Sequence, residues 1–413
     1  MTDKTITTRC CIVGGGPAGI MTGFLLARSG IHVTVLEQWP DFFRDFRGDT
    51  IHPATLDLLG ELNILDAFLQ LPINKTVQIG GEIGGQRVTL ADFSYLKTKC
   101  PYIAFIPQWD FLNFMVEEAR HYPSFHLLMH TEAVDLIQEE DRCVGVIAKK
   151  DDALFEIRAD LVIGADGRHS MVRKKSHLPV ETLGAPMDVL WFRLPRLETD
   201  ETFSLGKINE GRMLVMINRD TYWQCGFLIR KGTYDYVQKS GLALFHQSLL
   251  DVSPSLKDRV NTLVSWDQIK LLTVTVDYLT QWYRAGLLCI GDAAHAMSPI
   301  GGVGINLAIQ DAVAAANRLV PAFQANDLTE ATLRAIQKRR QFPTRCTQRM
   351  QLFLQDRIID RVLGNKTHPK LPLFFKLLNS IPVLRWFPAY LIGMGFRREH
   401  IKTQKNSLTG QSR

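Results

Sequence analysis

Hydrophobic positions along this chain follow two rhythms. Thr5 to Val13 closes on the unbroken apolar run Cys10-Cys11-Ile12-Val13, Ile31 to Leu36 repeats the pattern, and Gly286 to Ile290 gives a third short run. Runs of this kind, bounded by glycines, predict buried parallel strands. A helical pattern through Leu25 to Arg28 follows the first run, and Ile305 to Leu319 forms a second apolar-faced helix. Between them, Val189 to Pro195, Met213 to Ile217, Tyr222 to Ile229 and Leu271 to Val276 have the β-branched and aromatic content of half-buried strands. Asn218-Arg219-Asp220-Thr221 predicts a hairpin turn, and Gly80 to Gly85 another. From Leu328 onward the pattern is helical, with Arg334, Lys338, Arg339, Arg340 and Arg345 on polar positions.

The glycines sit where these elements meet. Gly14, Gly16 and Gly19, with Pro17 and Ala18 between them, fit a G-x-G-x-x-G turn between strand and helix. The first glycine permits the tight turn, the second lets backbone approach a pyrophosphate, and the third lets the helix pack on its strand. Helix N-terminal amides then meet the phosphate charge. Glu37, at the end of the second strand, is placed to accept both ribose hydroxyl protons. Up to this point NAD and FAD fit equally well.

A second signal lies far downstream. Gly291-Asp292 follows the third strand at its carboxyl end, where open α/β sheets place ligands, and Asp292 can bond a polyol chain. Gly301-Gly302-Val303-Gly304 permits close backbone approach, and Gly302, Gly304, Ile305 and Asn306 form the entrance of the following helix. The positive end of that helix suits the anionic N1/C2 carbonyl edge of a reduced flavin. Together, with Gly164-Ala165-Asp166-Gly167 between them, the two signals describe one FAD held at three places.

With Asp160 to Ser170 (Asp-Leu-Val-Ile-Gly-Ala-Asp-Gly-Arg-His-Ser) between them, the chain resembles the FAD-dependent aromatic hydroxylases of the para-hydroxybenzoate hydroxylase type, over roughly residues 5 to 320. The resemblance implies an α/β fold: a Rossmann-type FAD-binding domain with an inserted, mostly antiparallel β-sheet substrate domain and a C-terminal helical region. The expected boundaries are 1–75, 96–178 and 285–325 for the FAD domain, 76–95 and 179–284 for the sheet domain, and 326–413 for the helical region. It also implies that Asp166 and Gly167 lie near the cofactor, that Arg47 stands beside the flavin, that Gln108 meets the flavin side chain and that backbone at Val134 meets adenine. Pro299 is implied on the oxygen side of the ring, so Arg47 and Pro299 are the catalytic candidates. His52 is left outside the site. The implied chemistry is reduction of non-covalent FAD by NADPH or NADH as a transient co-substrate, formation of a C4a-hydroperoxide with oxygen, and hydroxylation of a small molecule. Arg44, Arg168 and Arg173 are candidates for a 2′-phosphate.

Trp191, Arg193, Met213, Val215, Trp223 and Cys225 are the substrate-pocket candidates, expected on one alternation of the sheet, with ordinary sheet core as the competing reading. Their mix suggests something largely apolar with one phenol, enolate or carboxylate to pair with Arg193, and the resemblance implies an aromatic, polyketide-like or quinone-like compound. A reductase or oxidase on the same scaffold, or a non-catalytic flavin carrier, are the alternatives. A halogenase recedes, because no two of the seven tryptophans stand two residues apart.

The remaining composition narrows the picture. With 413 residues, 46% hydrophobic and 22% charged, the chain can build two or three packed units. A net charge of +6, widely spread, argues against nucleic acid as partner. Seven cysteines lack metal-type spacing and suit a reducing cytoplasm, and Met1 to Thr8 carries no apolar leader. Either a monomer or a homodimer fits. Leu371 to Phe396 is strongly apolar but interrupted by Lys376, Asn379, Pro382, Arg385 and Pro388, so it is read as packing over the substrate mouth or a partner subunit, or as lying at a membrane surface.

Overall fold

The computed structural model describes residues 5–43, 50–200, 205–355 and 373–406. Two sheets dominate. The first has eight strands, and its centre is parallel: Val33–Leu36, Thr5–Val13, Ala153–Gly164 and Leu287–Cys289 lie side by side in that order. Cys10, Cys11, Ile12, Val33, Val35, Leu161 and Val162 are fully buried, as strands covered on both faces require. Phe125–Leu128 extends one edge, while Glu132–Glu139 and Arg142–Lys150 add an antiparallel flap on Ala153–Gly164.

Helices Pro17–Arg28 and Gly304–Gln324 pack against each other. Pro17 opens the first of these at a position where its missing N–H costs nothing. Small residues Ala308, Ala312 and Ala315, all buried, bring the second close to its neighbours. The long helix Glu330–Leu354 packs on Gly304–Gln324 in turn.

The second sheet has seven strands, in the order Lys270–Leu272, Met187–Pro195, Tyr222–Arg230, Arg212–Arg219, Leu205–Asn209, Gln78–Ile83 and Gln86–Asp92. All pairs are antiparallel except Leu205–Asn209 with Gln78–Ile83. The hairpin expected at Asn218 to Thr221 is present, Asp220 taking the left-handed conformation at its tip. In the glycine-rich hairpin only Gly84 and Gly85 make the turn, both at positive φ. Gly80 and Gly81 lie in the strand, where a β-carbon would strike Val88 O or Gly206 O at 2.1 Å.

Two expectations are corrected here. The strand expected over Leu271 to Val276 stops at Leu272. Asp188 Oδ1 accepts from the Val274 amide at 3.0 Å and Lys231 Nζ donates to the Val274 carbonyl at 2.6 Å, so side chains replace the ladder. Arg340, placed on the polar side of its helix, is wholly buried, because Asp311 and Glu399 pair with it.

Beyond Gly393 the chain returns as a strap without regular structure. Arg398 pairs with Asp57, His400 with Glu61, and the Asn406 amide donates to Arg28 O at 3.0 Å, so the strap crosses helices far apart in sequence. No helix among the described residues is long and apolar enough to cross a membrane.

Candidate functional site

The parallel strands end level with one another. Val13 stands opposite both Leu36 and Gly164, and Gly164 opposite Cys289. Consequently Gly14 to Gly19, Gly164 to Gly167, Glu37 and Gly291-Asp292 leave the sheet at one edge, and the three motifs spread through the sequence form one continuous lip. Cross-bonds fix it: the Gly14 amide donates to Leu36 O at 2.9 Å, Ala165 to Val13 O at 2.8 Å, and Ile290 to Gly164 O at 2.9 Å.

The glycines divide into two kinds. A β-carbon at Gly14 would lie 2.4 Å from Ala165 O, at Gly19 1.9 Å from Gly14 O, and at Gly302 2.4 Å from Thr50 Oγ1. Gly291, at positive φ, is wedged between Ala18 and Ala308, which would stand 3.1 and 3.3 Å from such a carbon. The protein's own packing demands glycine at those four. At Gly16 the nearest atom among the described residues is 4.0 Å away, and at Gly304 nothing lies within 4 Å. Those two open cradles lie at the starts of the two packed helices, where a pyrophosphate and a ring would need backbone to come close. The site therefore fits an extended dinucleotide.

Glu37 Oε2 accepts from the Gly15 amide at 3.0 Å and Oε1 from Trp39 N at 3.2 Å, so the ribose candidate also braces the first turn. Val134 is the extra residue where the register shifts between Ala133–Ala148 and Asp135–Ile147, which frees its backbone from the ladder. Gln108 opens the helix Gln108–Arg120. Arg44 and Arg47 lie outside the described residues.

Several side chains are engaged within the protein. Asp166 accepts from the Ser170 hydroxyl and the Val172 amide; desolvation nevertheless pushes its carboxyl above the usual range. Gly167, at positive φ, leaves its surroundings open. Asp292 is paired with Arg168 at 3.6 Å. Arg173 is held by Asp277 at 3.0 Å and by Arg168 O at 2.7 Å. Asn306 makes four bonds: its Oδ1 accepts from His52 N and Thr55 Oγ1, and its Nδ2 donates to Thr50 O and Gly302 O. That side chain pins the loop at Gly302 to the segment Thr50 to Thr55 and is fully used in doing so, and Ile305 beside it is buried.

Sequence reasoning missed the support behind this lip. Asp311, fully buried, accepts from the Gly291 amide at 3.1 Å, from His295 Nε2 at 2.5 Å and from Arg340 Nε at 2.8 Å. Burial alone would raise its carboxyl, but His295 and Arg340 hold it below the ordinary value. Gln348, Gln351 and Gln355 on the next helix donate to Ala296 O, to Ser298 O and Ile300 O, and to Ser298 Oγ, so a glutamine row grips the loop that carries Pro299. His52 is buried, its Nδ1 2.7 Å from Ile392 O. The i, i+3, i+7 spacing of the glutamines was the available signal.

The pocket candidates separate. Trp191, Met213 and Val215 lie on one face of the second sheet, in a cluster with Val189, Leu228 and Ile300, so this face covers the Pro299 loop. The Trp191 ring rests on Gly226, whose β-carbon would be 3.2 Å from it. Arg193 shares that alternation but is exposed, its guanidinium 5.1 Å from the Tyr222 ring centre. Trp223 and Cys225 are on the opposite face, a correction: register pairs Cys225 with Phe192 and Trp223 with Leu194, and both pack against the helix Leu242–Val252. Trp223 Nε1 donates to Asp200 at 2.8 Å.

Comparison with known proteins agrees with this geometry. The family model described as FAD binding domain matches residues 7–350. The 6-methylpretetramide 4-monooxygenase of Streptomyces rimosus is 33% identical over 356 residues, 85% of this chain and 84% of that one. Among solved structures, p-nitrophenol 4-monooxygenase PnpA from Pseudomonas putida DLL-E4 superposes with a TM-score of 0.74 at 19% identity, covering 94% of this chain and 99% of that one. The OxyS anhydrotetracycline hydroxylase from Streptomyces rimosus gives 0.73 at 22% identity, covering 94% and 76%. The chain belongs to the FAD binding domain family, and within it to the FAD-dependent aromatic hydroxylases.

Proposed function

We propose that the protein hydroxylates a largely apolar, polycyclic aromatic or quinone-like small molecule, with NADPH or NADH as reductant and molecular oxygen as oxidant. One observation carries this reading: the apolar sheet face bearing Trp191, Met213 and Val215 closes over Ile300, beside the helix entrance at Gly304. Bound there, FAD supplies the redox chemistry, accepting hydride and activating oxygen for transfer to carbon. The chain's own residues set the conditions. Gly16 and the N-terminus of Pro17–Arg28 take the pyrophosphate, and Glu37 takes the ribose. Amides at the start of Gly304–Gln324 steady negative charge on the ring edge without a lysine. Trp191, Met213 and Val215 hold an apolar ring and keep water from the oxygen side, where Pro299 lines the loop. Similarity to the 6-methylpretetramide enzyme makes aromatic polyketides the first compounds to test.

The test is oxygen-18 incorporation. The protein is incubated with FAD, NADPH or NADH, labelled oxygen and a panel of aromatic polyketides, phenols and quinones. One labelled oxygen atom in an organic product, coupled to nicotinamide oxidation, is the expected result. Oxidation of the nicotinamide that yields only peroxide across the panel would favour a reductase or oxidase instead.

A further inference from the structure

The C-terminal helices Leu373–Ser380 and Trp386–Gly393 each pack on the turn Pro382–Arg385 between them and on the strand Gln86–Asp92. Their inner side joins the fold: Phe375 and Leu378 cluster with Ile83 and Val88, and Ala389 and Met394 with Phe93 and Leu96. The outer side is apolar as well. Leu373 is 81% exposed, Val383 61%, Phe387 59% and Phe374 54%, and Leu377 and Trp386 are also exposed. Helices that expose large apolar side chains in addition to the ones they bury call for a further apolar partner. Exposed large apolar side chains grouped on one short segment mark an interaction site.

Charge selects the partner. From Arg361 to Arg398 the sequence contains seven lysines and arginines and no aspartate or glutamate. Lys376 is exposed between Phe374 and Leu377, whereas Arg385 is half-buried and donates to Leu378 O and Asn379 O, and Arg398 is taken by Asp57. Aromatic and aliphatic side chains interleaved with cations, without acids, are the composition of an interfacial element; a protein-binding face for a basic or neutral partner would not exclude acids over such a length. Trp386 and Tyr390, with ring centres 5.4 Å apart, supply the amphipathic aromatics favoured at headgroup depth.

We propose that this face docks the protein on an anionic lipid surface. Full-length, FAD-loaded protein is sedimented with phosphatidylcholine vesicles, with and without phosphatidylglycerol. Binding to the anionic vesicles, released by salt, is expected, with little binding to phosphatidylcholine alone. The Phe374→Glu/Phe387→Glu double variant should lose at least about tenfold in partition while keeping its FAD content. Lys376→Gln should lose about fivefold. Independently of any variant, amides of residues 373–393 in the wild type should exchange more slowly when vesicles are present. Wild-type protein that stays in the supernatant with both vesicle types, or a double variant that binds as well as wild type, would overturn the proposal. So would a wild-type dimer that the double variant converts to monomer without any lipid binding, which would assign the face to a second copy of the chain.

Discussion

At the residue scale, glycine identity has two separate causes that experiment can tell apart. Gly14, at φ +108°, faces Ala165 O, so Gly14→Ala should destabilise the apoprotein by about 1–3 kcal/mol in urea denaturation. Gly16→Ala, whose added carbon comes no nearer than 4.0 Å to Ala165 O, should leave apoprotein stability unchanged and, on the proposed placement of the pyrophosphate, weaken FAD binding by roughly 1–3 kcal/mol, a factor of about 5 to 150. Equal effects from both variants on both measurements would remove the distinction. His52 gives a pH test. Burial lowers its pKa from 6.5 to about 4, against the raising effect of its bond to Ile392 O. Folded, the ring stays neutral; unfolded, it protonates near 6.5, so unfolding takes up a proton at intermediate pH. Its contribution to stability is complete above pH 6.5 and falls by about 3 kcal/mol as the pH drops to 4. His52→Asn, which can still donate to Ile392 O, should flatten the pH dependence of the urea midpoint over that window.

At the scale of elements, what was legible and what was not follow from locality. Strand, turn and helix around Gly14 to Gly19 were readable because their signals are contiguous, and so were the strand at Leu287–Cys289 and the helix at Gly304. The facing of Trp223 and Cys225 was not. Composition gives an alternation within one strand, but which parity of Tyr222–Arg230 faces inward depends on its register with Met187–Pro195 and on a helix some twenty residues downstream. Arg340 was equally unreadable, since its partners Asp311 and Glu399 lie on another helix and on the terminal strap. This buried group braces the Gly291 turn. Asp311→Asn leaves Arg340 short of an anion and should cost about 3 kcal/mol or more of stability. The folded-state pKa of Asp311 is depressed, so its contribution is complete above the ordinary carboxylate value of 3.8 and is lost as pH falls further. The stability gap between wild type and variant should therefore narrow only in strong acid; a gap that closes already near pH 6 would assign the effect to another group.

For the whole molecule, the sequence motifs carry the nucleotide reading, while the structure brings the three of them to one lip and packs the apolar sheet face against Ile300. Substrate choice was less legible because it depends on side chains from separate strands and a loop, none of which carries a motif. We propose that one FAD lies stretched from Gly16 to the helix entered at Gly304. Titration of the apoprotein with FAD, followed by flavin fluorescence, tests it directly in the wild type, in Gly304→Val and in Asp292→Ala. One FAD per chain in the wild type, with weaker binding in both variants by about tenfold or more, is the predicted result. A colourless protein that takes up no added FAD, or unchanged FAD binding in both variants, would contradict it.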